Sequence, residues 1–150
     1  MDKSLKVAAL YVASLKALSL IHQHNHWTNQ GAPFYGNHLL FERLYHSAQE
    51  NVDLAAEKFV GLFGVEALDY QVQADLLNKV LLKYKEAVSE PLAMSLAAEK
   101  DFLKFSKDAY AAFEQNDALS LGLDDMIMSI ASSREEAVYL LQQTNGRGVE

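Results

Sequence analysis

The sequence predicts an all-α protein that folds as one four-helix bundle. Apolar residues recur at three- and four-residue spacing in four long segments, and stretches containing Gly or Pro separate these segments. A chain of 150 residues, half of them hydrophobic, is long enough to bury a core as a single domain. We therefore expect one domain over residues 1–150, with a flexible tail at residues 144–150.

The first long helix is predicted from about Ser4 to Thr28. Lys3, Lys6 and the apolar run that follows are loosely similar to a signal peptide, but Lys16 interrupts the run and no convincing cleavage site follows. The uninterrupted apolar stretch is also too short for a membrane span. We expect a bundle helix and no membrane partner. Its expected inward residues are Leu5, Ala8, Ala9, Val12, Leu15, Ala17, Leu18, Leu20 and Ile21.

A loop at residues 30–33 leads into the second helix, which is predicted from about Phe34 to Phe63. One stripe of this helix is apolar and is expected to face the chain's own core. That stripe consists of Phe41, Leu44, Tyr45, Ala48, Val52, Ala55, Phe59 and Leu62. A second, polar stripe runs beside it and is expected to face something else. It consists of His38, Glu42, Gln49, Asp53 and Glu57.

The length of the polar stripe indicates that two chains are needed to bind one metal ion. His38 and Asp53 are fifteen residues apart, which is about 22 Å along a helix. Imidazole and carboxylate ligands lie about 2 Å from a metal ion, so these two side chains cannot hold one ion within a single chain. An antiparallel partner related by a two-fold axis would bring its own Asp53 and Glu57 opposite His38, which predicts a homodimer with two sites.

The residues around this stripe resemble a known signature. The pattern H-W-x3-G-x2-F-x3-H-x3-E-x10-D-x3-E begins at His26 and is similar to that of the Dps family, mini-ferritins first described as DNA-binding proteins of starved cells. It covers about thirty residues without a gap. The pattern is filled by His26, Trp27, Gly31, Phe34, His38, Glu42, Asp53 and Glu57.

The resemblance implies a ferritin-like subunit of a hollow dodecamer. Fe(II) would be oxidised, with hydrogen peroxide as the expected oxidant, at sites shared across two-fold dimers, and the ferric mineral would be stored inside. By position, His26 and His38 would be ligands from one subunit and Asp53 and Glu57 ligands from the other. Glu42 would be a further ligand or a nearby carboxylate, and Trp27 would stand beside the site.

The rest of the chain completes the predicted bundle. A long crossover from Val65 to Val88 joins the second and third long helices and is expected to contain a short helix from about Asp75 to Leu82. The third long helix is predicted from Pro91 to about Gln115, and the fourth from about Leu123 to Gln143. The inward residues of the third are expected to be Leu92, Leu96, Ala97, Phe102, Leu103, Phe105, Ala109, Ala112 and Phe113.

The third and fourth long helices carry no histidine, since none follows His46. A di-iron site inside one bundle would need Glu-x-x-His motifs on two helices, which again favours a site between subunits. We expect Glu99, Asp101, Glu135 and Glu136 to be solvated charges.

Three further groups of residues leave alternatives open. His22 is four residues from His26 and is either a weaker metal ligand or a boundary residue bonded to a carbonyl group or water. His24 is either a further imidazole near the site or a boundary residue, and His46 lies on the flank of the polar stripe and could add to it. The acidic residues at the turn before the fourth long helix either line a pore, as the resemblance implies, or favour the helix dipole. They are Glu114, Asp117, Asp124 and Asp125.

Composition limits the partners and the compartment. The chain has no Cys, which excludes disulfides and thiolate sites and agrees with a cytoplasmic protein. A net charge of −7 opposes binding to a polyanion, and only Lys3, Lys6 and Arg147 lie near the termini. We therefore expect that DNA is not bound.

The ligand types suit iron, and zinc or manganese are possible at the same site. The simplest alternative for His26, His38, Asp53 and Glu57 is a set of four polar residues at a wet helix interface. Two rival functions follow: a DNA-compacting or metal-binding particle with little ferroxidase activity, and a helical interaction module that binds no metal.

Overall fold

The computed structural model describes residues 1–85 and 90–146, and all regular structure in those ranges is helical. The bundle architecture expected from the sequence is therefore confirmed. A short 3-10 helix, Val65–Leu68, precedes α3. The α-helices are α1 (Lys3–Thr28), α2 (Phe34–Phe63), α3 (Tyr70–Leu82), α4 (Pro91–Gln115) and α5 (Leu121–Asn145).

Four long helices enclose the core. α1 packs against α2 and α4, and α5 packs against the same two helices from the other side, so α2 and α4 lie on a diagonal. Tyr11, Phe59 and Phe113 are fully buried in the larger part of the core, with their rings in contact. A smaller apolar group around Phe41 and Leu141 fills the end of the bundle near the loop between α1 and α2.

The short helix α3 begins five residues earlier than expected, at Tyr70 rather than near Asp75. The Asp69 carboxylate accepts hydrogen bonds from the backbone N–H groups of Gln71 and Val72, so it caps the helix at its start. The predicted crossover includes residues 86–89, which lie outside the described residues. The long crossover as a whole therefore stays a prediction.

Helix α5 is longer at both ends than expected. It starts at Leu121 because the Ser120 hydroxyl accepts a hydrogen bond from the backbone N–H of Leu123. It continues through Asn145, two residues past Gln143. Residues 144 and 145 of the predicted flexible tail are thus helical, and residues 147–150 lie outside the described part of the chain.

Three residues expected in the core are exposed instead. Leu20, Leu62 and Ala97 face solvent on α1, α2 and α4. A helix of this bundle buries only part of its circumference, and these residues flank the apolar stripes rather than lying on them. The prediction that these three residues face the core was therefore wrong.

Among the described residues, only α1 is long and apolar enough to cross a membrane. More than half of its apolar window is buried inside the bundle, which is the pattern of a core helix.

Candidate metal site

The loop between α1 and α2 brings the two predicted histidine ligands together. α1 ends where the Asn29 side chain donates hydrogen bonds to the carbonyl groups of Asn25 and His26. Gly31 has φ of +101°, a conformation that favours glycine because it has no Cβ. The Phe34 N–H then bonds the Gly31 carbonyl at 3.0 Å and starts α2. This tight turn folds the first residues of α2 back onto the end of α1.

His26 and His38 hold each other through reciprocal hydrogen bonds. Nδ1 of His26 lies 2.8 Å from the His38 carbonyl oxygen, and Nδ1 of His38 lies 2.9 Å from the His26 carbonyl oxygen. A carbonyl oxygen only accepts, so both Nδ1 atoms carry the proton and donate it. Each Nε2 atom is left with a free lone pair in the neutral ring. This tautomer is the one that binds a metal ion through Nε2.

The two imidazole rings stack with their centroids 3.8 Å apart and an angle of 14° between the planes. Phe34 stacks on the outer side of His38, and the edge of Tyr45 meets His26. Packing therefore fixes the ring orientation before any ligand arrives, which lowers the cost of binding.

Glu42 is the carboxylate next to this pair. Its Oε2 lies 3.9 Å from Nε2 of His26, too long for a hydrogen bond, and its side chain is 45% exposed. The carboxylate is thus near the free nitrogen and accessible to solvent. Trp27 is two-thirds exposed beside the cluster and does not belong to the core.

Asp53 and Glu57 lie exposed on the same continuous helix as His38, several turns away. Over residues 1–85 and 90–146, no three His, Asp or Glu side chains converge to form a metal site within one chain. The helix thus keeps Asp53 about 22 Å and Glu57 about 28 Å from His38 along its axis. Whether His26, His38, Glu42, Asp53 and Glu57 bind metal stays a prediction.

His22 is neither a metal ligand facing solvent nor a boundary residue. Its side chain is fully buried, with Nδ1 2.9 Å from the Ser95 hydroxyl and Nε2 2.7 Å from the Glu99 carboxylate. Asn25 donates to the same Ser95 hydroxyl at 2.8 Å. Both ring nitrogens are therefore used within the chain. The prediction that His22 adds a ligand to the site was wrong, because the ring turns into the bundle instead of toward His26.

Glu99 and Arg134 are buried together at the centre of the bundle. Both side chains are fully inaccessible, and Nε of Arg134 lies 3.3 Å from Oε1 of Glu99. Nη2 of Arg134 donates to the Ser47 hydroxyl at 3.0 Å. Burial lowers the pKa of the Arg134 guanidinium from its ordinary value, and the adjacent Glu99 carboxylate opposes that shift.

The expectation that Glu99 is a solvated charge was therefore wrong. Arg134 was missed altogether, although it continues the inward stripe of α5, four residues after Ile130 and seven before Leu141. A charged residue on an apolar stripe is the signal that could have found it. Glu136 is exposed and pairs with Arg43, and Asp101 is exposed and accepts a hydrogen bond from the Tyr84 hydroxyl.

The remaining predicted residues lie on the surface. His24, His46 and Glu135 are exposed. Asp124 lies in the first turn of α5, which agrees with the helix-dipole interpretation of the acidic turn. A pore at this turn remains a prediction.

Comparison with known proteins gives local sequence relatives. No protein-family model matches the chain. A nutrient stress-induced DNA-binding protein of Nostoc sp. is 37% identical over 65 residues, which are 43% of this chain and 35% of that protein. A protein of the same name from Synechococcus sp. is 43% identical over 54 residues, 36% of this chain and 31% of the relative. The match thus spans about a third of the length of these curated relatives.

Solved structures match over nearly the whole chain. DpsC from Streptomyces coelicolor has a TM-score of 0.78 at 24% identity, covering 95% of this chain and 83% of that one. Dps from Thermosynechococcus elongatus has a TM-score of 0.79 at 15% identity, with 96% and 90% covered. Dps from Vibrio cholerae, described as a member of a broad superfamily of ferritin-like diiron-carboxylate proteins, has a TM-score of 0.74 at 17% identity, with 93% and 86% covered.

These comparisons confirm the predicted ferritin-like, all-α fold and the resemblance to the Dps family. They do not support the expectation that DNA is not bound, since both sequence relatives are named as DNA-binding proteins.

Proposed function

We propose that this chain is the subunit of a Dps-type mini-ferritin that oxidises Fe(II) and stores the ferric product. The observation that carries the proposal is the His26–His38 pair. Reciprocal hydrogen bonds fix both rings in the tautomer with a free Nε2, and Glu42 lies beside them. The hydrogen bonds orient both rings and use only their Nδ1 atoms, so the Nε2 atoms remain free to bind a metal ion.

Iron is the proposed substrate of this site. Two neutral imidazoles with hard carboxylate oxygens suit Fe(II), and they also suit Zn(II) or Mn(II), which we expect to compete at the same position. Carboxylates favour the ferric product because they add negative charge near the more highly charged ion. The half-exposed setting of Glu42 leaves room for iron and the oxidant to enter from solvent.

The site is proposed to be completed by a second copy of the chain. Tyr35 and Leu39 are exposed apolar residues that follow the same face of α2 as Asp53 and Glu57. Exposed apolar residues on a helix face favour a contact between copies along that face. A two-fold contact along α2 would bring Asp53 and Glu57 of the partner to the His26–His38 pair. The resemblance to Dps implies that such dimers assemble into a dodecamer, and we expect it in the cytoplasm.

The proposed reaction balances with hydrogen peroxide as the oxidant. Two Fe(II) ions each give up one electron, the O–O bond of one peroxide breaks, and two protons complete two water molecules. Within this chain, His26 and His38 hold the substrate through Nε2, while their Nδ1–H groups remain bonded to backbone carbonyls.

The double variant Asp53→Ala/Glu57→Ala tests the proposal. We expect the rate of peroxide-driven Fe(II) oxidation to fall more than about 100-fold, because loss of outer partners alone costs about 10- to 100-fold. The rate is measured from ferric absorbance after anaerobic loading with Fe(II), alongside particle mass. Glu66→Ala/Asp75→Ala removes two exposed carboxylates outside α2 and should keep the wild-type rate. An unchanged rate in the α2 double variant would refute the assignment.

A DNA-compacting particle with little ferroxidase activity is the second candidate. The names of the two sequence relatives favour it, although the net charge of −7 opposes it. Lys100, Lys104 and Lys107 lie exposed on one stripe of α4. In the described parts of the chain, every ion pair uses Arg or His, so these lysines are unpaired. A gel-shift titration over increasing salt would show binding that weakens steeply if these lysines contact phosphates.

A further inference from the structure

A polar layer crosses the centre of the bundle with contributions from all four long helices. α1 supplies His22, α2 supplies Ser47, α4 supplies Ser95 and Glu99, and α5 supplies Arg134. His22, Glu99 and Arg134 are fully inaccessible to solvent. His22 lies one helical turn before His26 with its side chain fully buried, and the proposed oxidation uses none of the members of this layer.

The layer contains one His and one Glu, two residue types that bind metal ions in four-helix proteins, beside a buried guanidinium. Four-helix di-metal proteins direct Glu and His side chains from several helices into the bundle core, where they surround a cation. Here Glu99 and His22 are such side chains, from two different helices. The cation beside the Glu99 carboxylate is Arg134, with Nε at 3.3 Å from Oε1.

The hydrogen bonds and the ion pair in this layer connect its members to one another, and the ion pair brings the two opposite charges together. The Ser95 hydroxyl accepts from Asn25 and lies 2.9 Å from Nδ1 of His22, while Nε2 of His22 faces Glu99 at 2.7 Å. The Glu99 carboxylate and the Arg134 guanidinium carry opposite charges and lie against each other, so each offsets the charge of the other. A divalent ion added here would introduce an uncompensated charge next to a buried cation, which is strongly unfavourable.

We propose that Arg134 excludes divalent metal from the bundle interior, and that without its guanidinium His22 and Glu99 form a metal site within one chain. This inference rests on the proposed function, because it explains why iron would bind only between subunits. Arg134 is thus a specificity-determining residue that acts by its own charge. Its Nε and Nη1 atoms form no hydrogen bond with the described residues, so the guanidinium is held by charge and packing more than by a complete set of bonds.

The surroundings can accommodate an ion once the guanidinium is removed. A cavity of about 40 Å³ lies against Arg134, with Ser47 and Ser133 also in its wall, and it leads toward the exposed Arg43–Glu136 pair. It offers a route from the surface and room for a water ligand. His22 would bind through Nε2 once its proton occupies Nδ1, where the Ser95 hydroxyl accepts it.

The test uses Co(II) as the probe in full-length protein that lacks the proposed intersubunit ligands. In Asp53→Ala/Glu57→Ala we expect at least a 10-fold loss of Co(II) affinity. Adding Arg134→Ala should restore binding at one ion per chain, with a visible absorption band typical of Co(II) bound to protein. Adding Glu99→Gln should abolish that band. Calorimetry gives the stoichiometry, and circular dichroism confirms that each variant is helical.

The outcomes separate this inference from the proposed function. If Asp53→Ala/Glu57→Ala binds Co(II) as the wild type does, the proposed intersubunit site is wrong. If it loses Co(II) and Arg134→Ala restores nothing, the exclusion by Arg134 is overturned while the intersubunit site stands.

A second variant covers the case in which Arg134→Ala does not fold. Arg134→Met keeps the apolar stem of the side chain but lacks the guanidinium, so the space beside Glu99 is free and the carboxylate should attract a divalent ion. At a Co(II) concentration too low to load the residual His26–His38 pair, we expect Co(II) to raise the melting temperature of Arg134→Met/Asp53→Ala/Glu57→Ala and to leave that of Asp53→Ala/Glu57→Ala unchanged. Equal melting temperatures with and without Co(II) in both proteins would overturn the proposal.

Discussion

Two clusters in this protein contain the same kinds of side chain but bond them differently. In the polar layer of the core, His22 has both ring nitrogens bonded within the chain, and Glu99 faces a guanidinium. In the cluster at the end of α1, His26 and His38 bond only through Nδ1 and keep Nε2 free beside a half-exposed carboxylate. Both clusters contain His and Glu, so residue type does not distinguish them. The candidate site is marked instead by the Nε2 atoms of His26 and His38, which have no hydrogen-bond partner among the described residues.

The two clusters are expected to contribute to different properties: the polar layer of the core to stability, and the His26–His38 pair to function. Removing one member of a buried ion pair leaves the other charged and without solvent, which costs several kcal/mol. Removing a half-exposed ligand costs less stability, because the groups that lose their partner are already in contact with water. Variants in the two clusters should therefore affect different measurements.

The largest effect on stability is expected for Glu99→Ala. This change leaves the Arg134 guanidinium buried without its carboxylate and His22 Nε2 without its acceptor, so the free energy of unfolding should fall by about 3–5 kcal/mol. Urea denaturation at a fixed protein concentration measures it. Glu135→Ala, on the exposed face of α5, is the control and should leave the urea midpoint unchanged. If the two variants unfold at the same midpoint, the buried pair does not bear on stability.

A smaller loss is expected when both charges are replaced together. Glu99→Leu/Arg134→Met removes the pair without leaving an uncompensated charge, and apolar replacements of buried pairs are often neutral or stabilising. His22 still loses its acceptor, which costs about 1–3 kcal/mol. The double variant should thus be more stable than Glu99→Ala in the same urea experiment. A double variant less stable than Glu99→Ala would mean that packing around the layer matters more than its charges.

The smallest effect on stability is expected for His38→Ala. It removes one hydrogen bond to the His26 carbonyl and one stacked ring at the surface, which should cost about 1 kcal/mol. The same variant should lose rapid Fe(II) oxidation, because one of the two imidazoles is gone. His46→Ala is the matched control, since His46 is an exposed histidine on the same helix and has no proposed ligand role. If His38→Ala oxidises Fe(II) at the rate of His46→Ala, the comparison between the two clusters fails.

Local patterns were enough to predict most of the fold. The bounds of α2 and α4 were predicted from apolar periodicity together with Pro33, Gly64 and Pro91. The starts of α3 and α5 were missed because each depends on a single capping side chain, Asp69 and Ser120, that lies outside any periodic stripe.

By itself, the sequence determined the helical order, the polar stripe on α2 and the separation of His38 from Asp53, because these follow from the fixed rise and turn of a helix. Only the tertiary structure decided which polar residues are satisfied by the chain. The periodicity of α1 does not reveal that His22 meets Glu99 on another helix, or that His26 and His38 exchange hydrogen bonds through a loop. Such partners are distant in sequence, and the packing of whole helices determines which of them come within hydrogen-bonding distance.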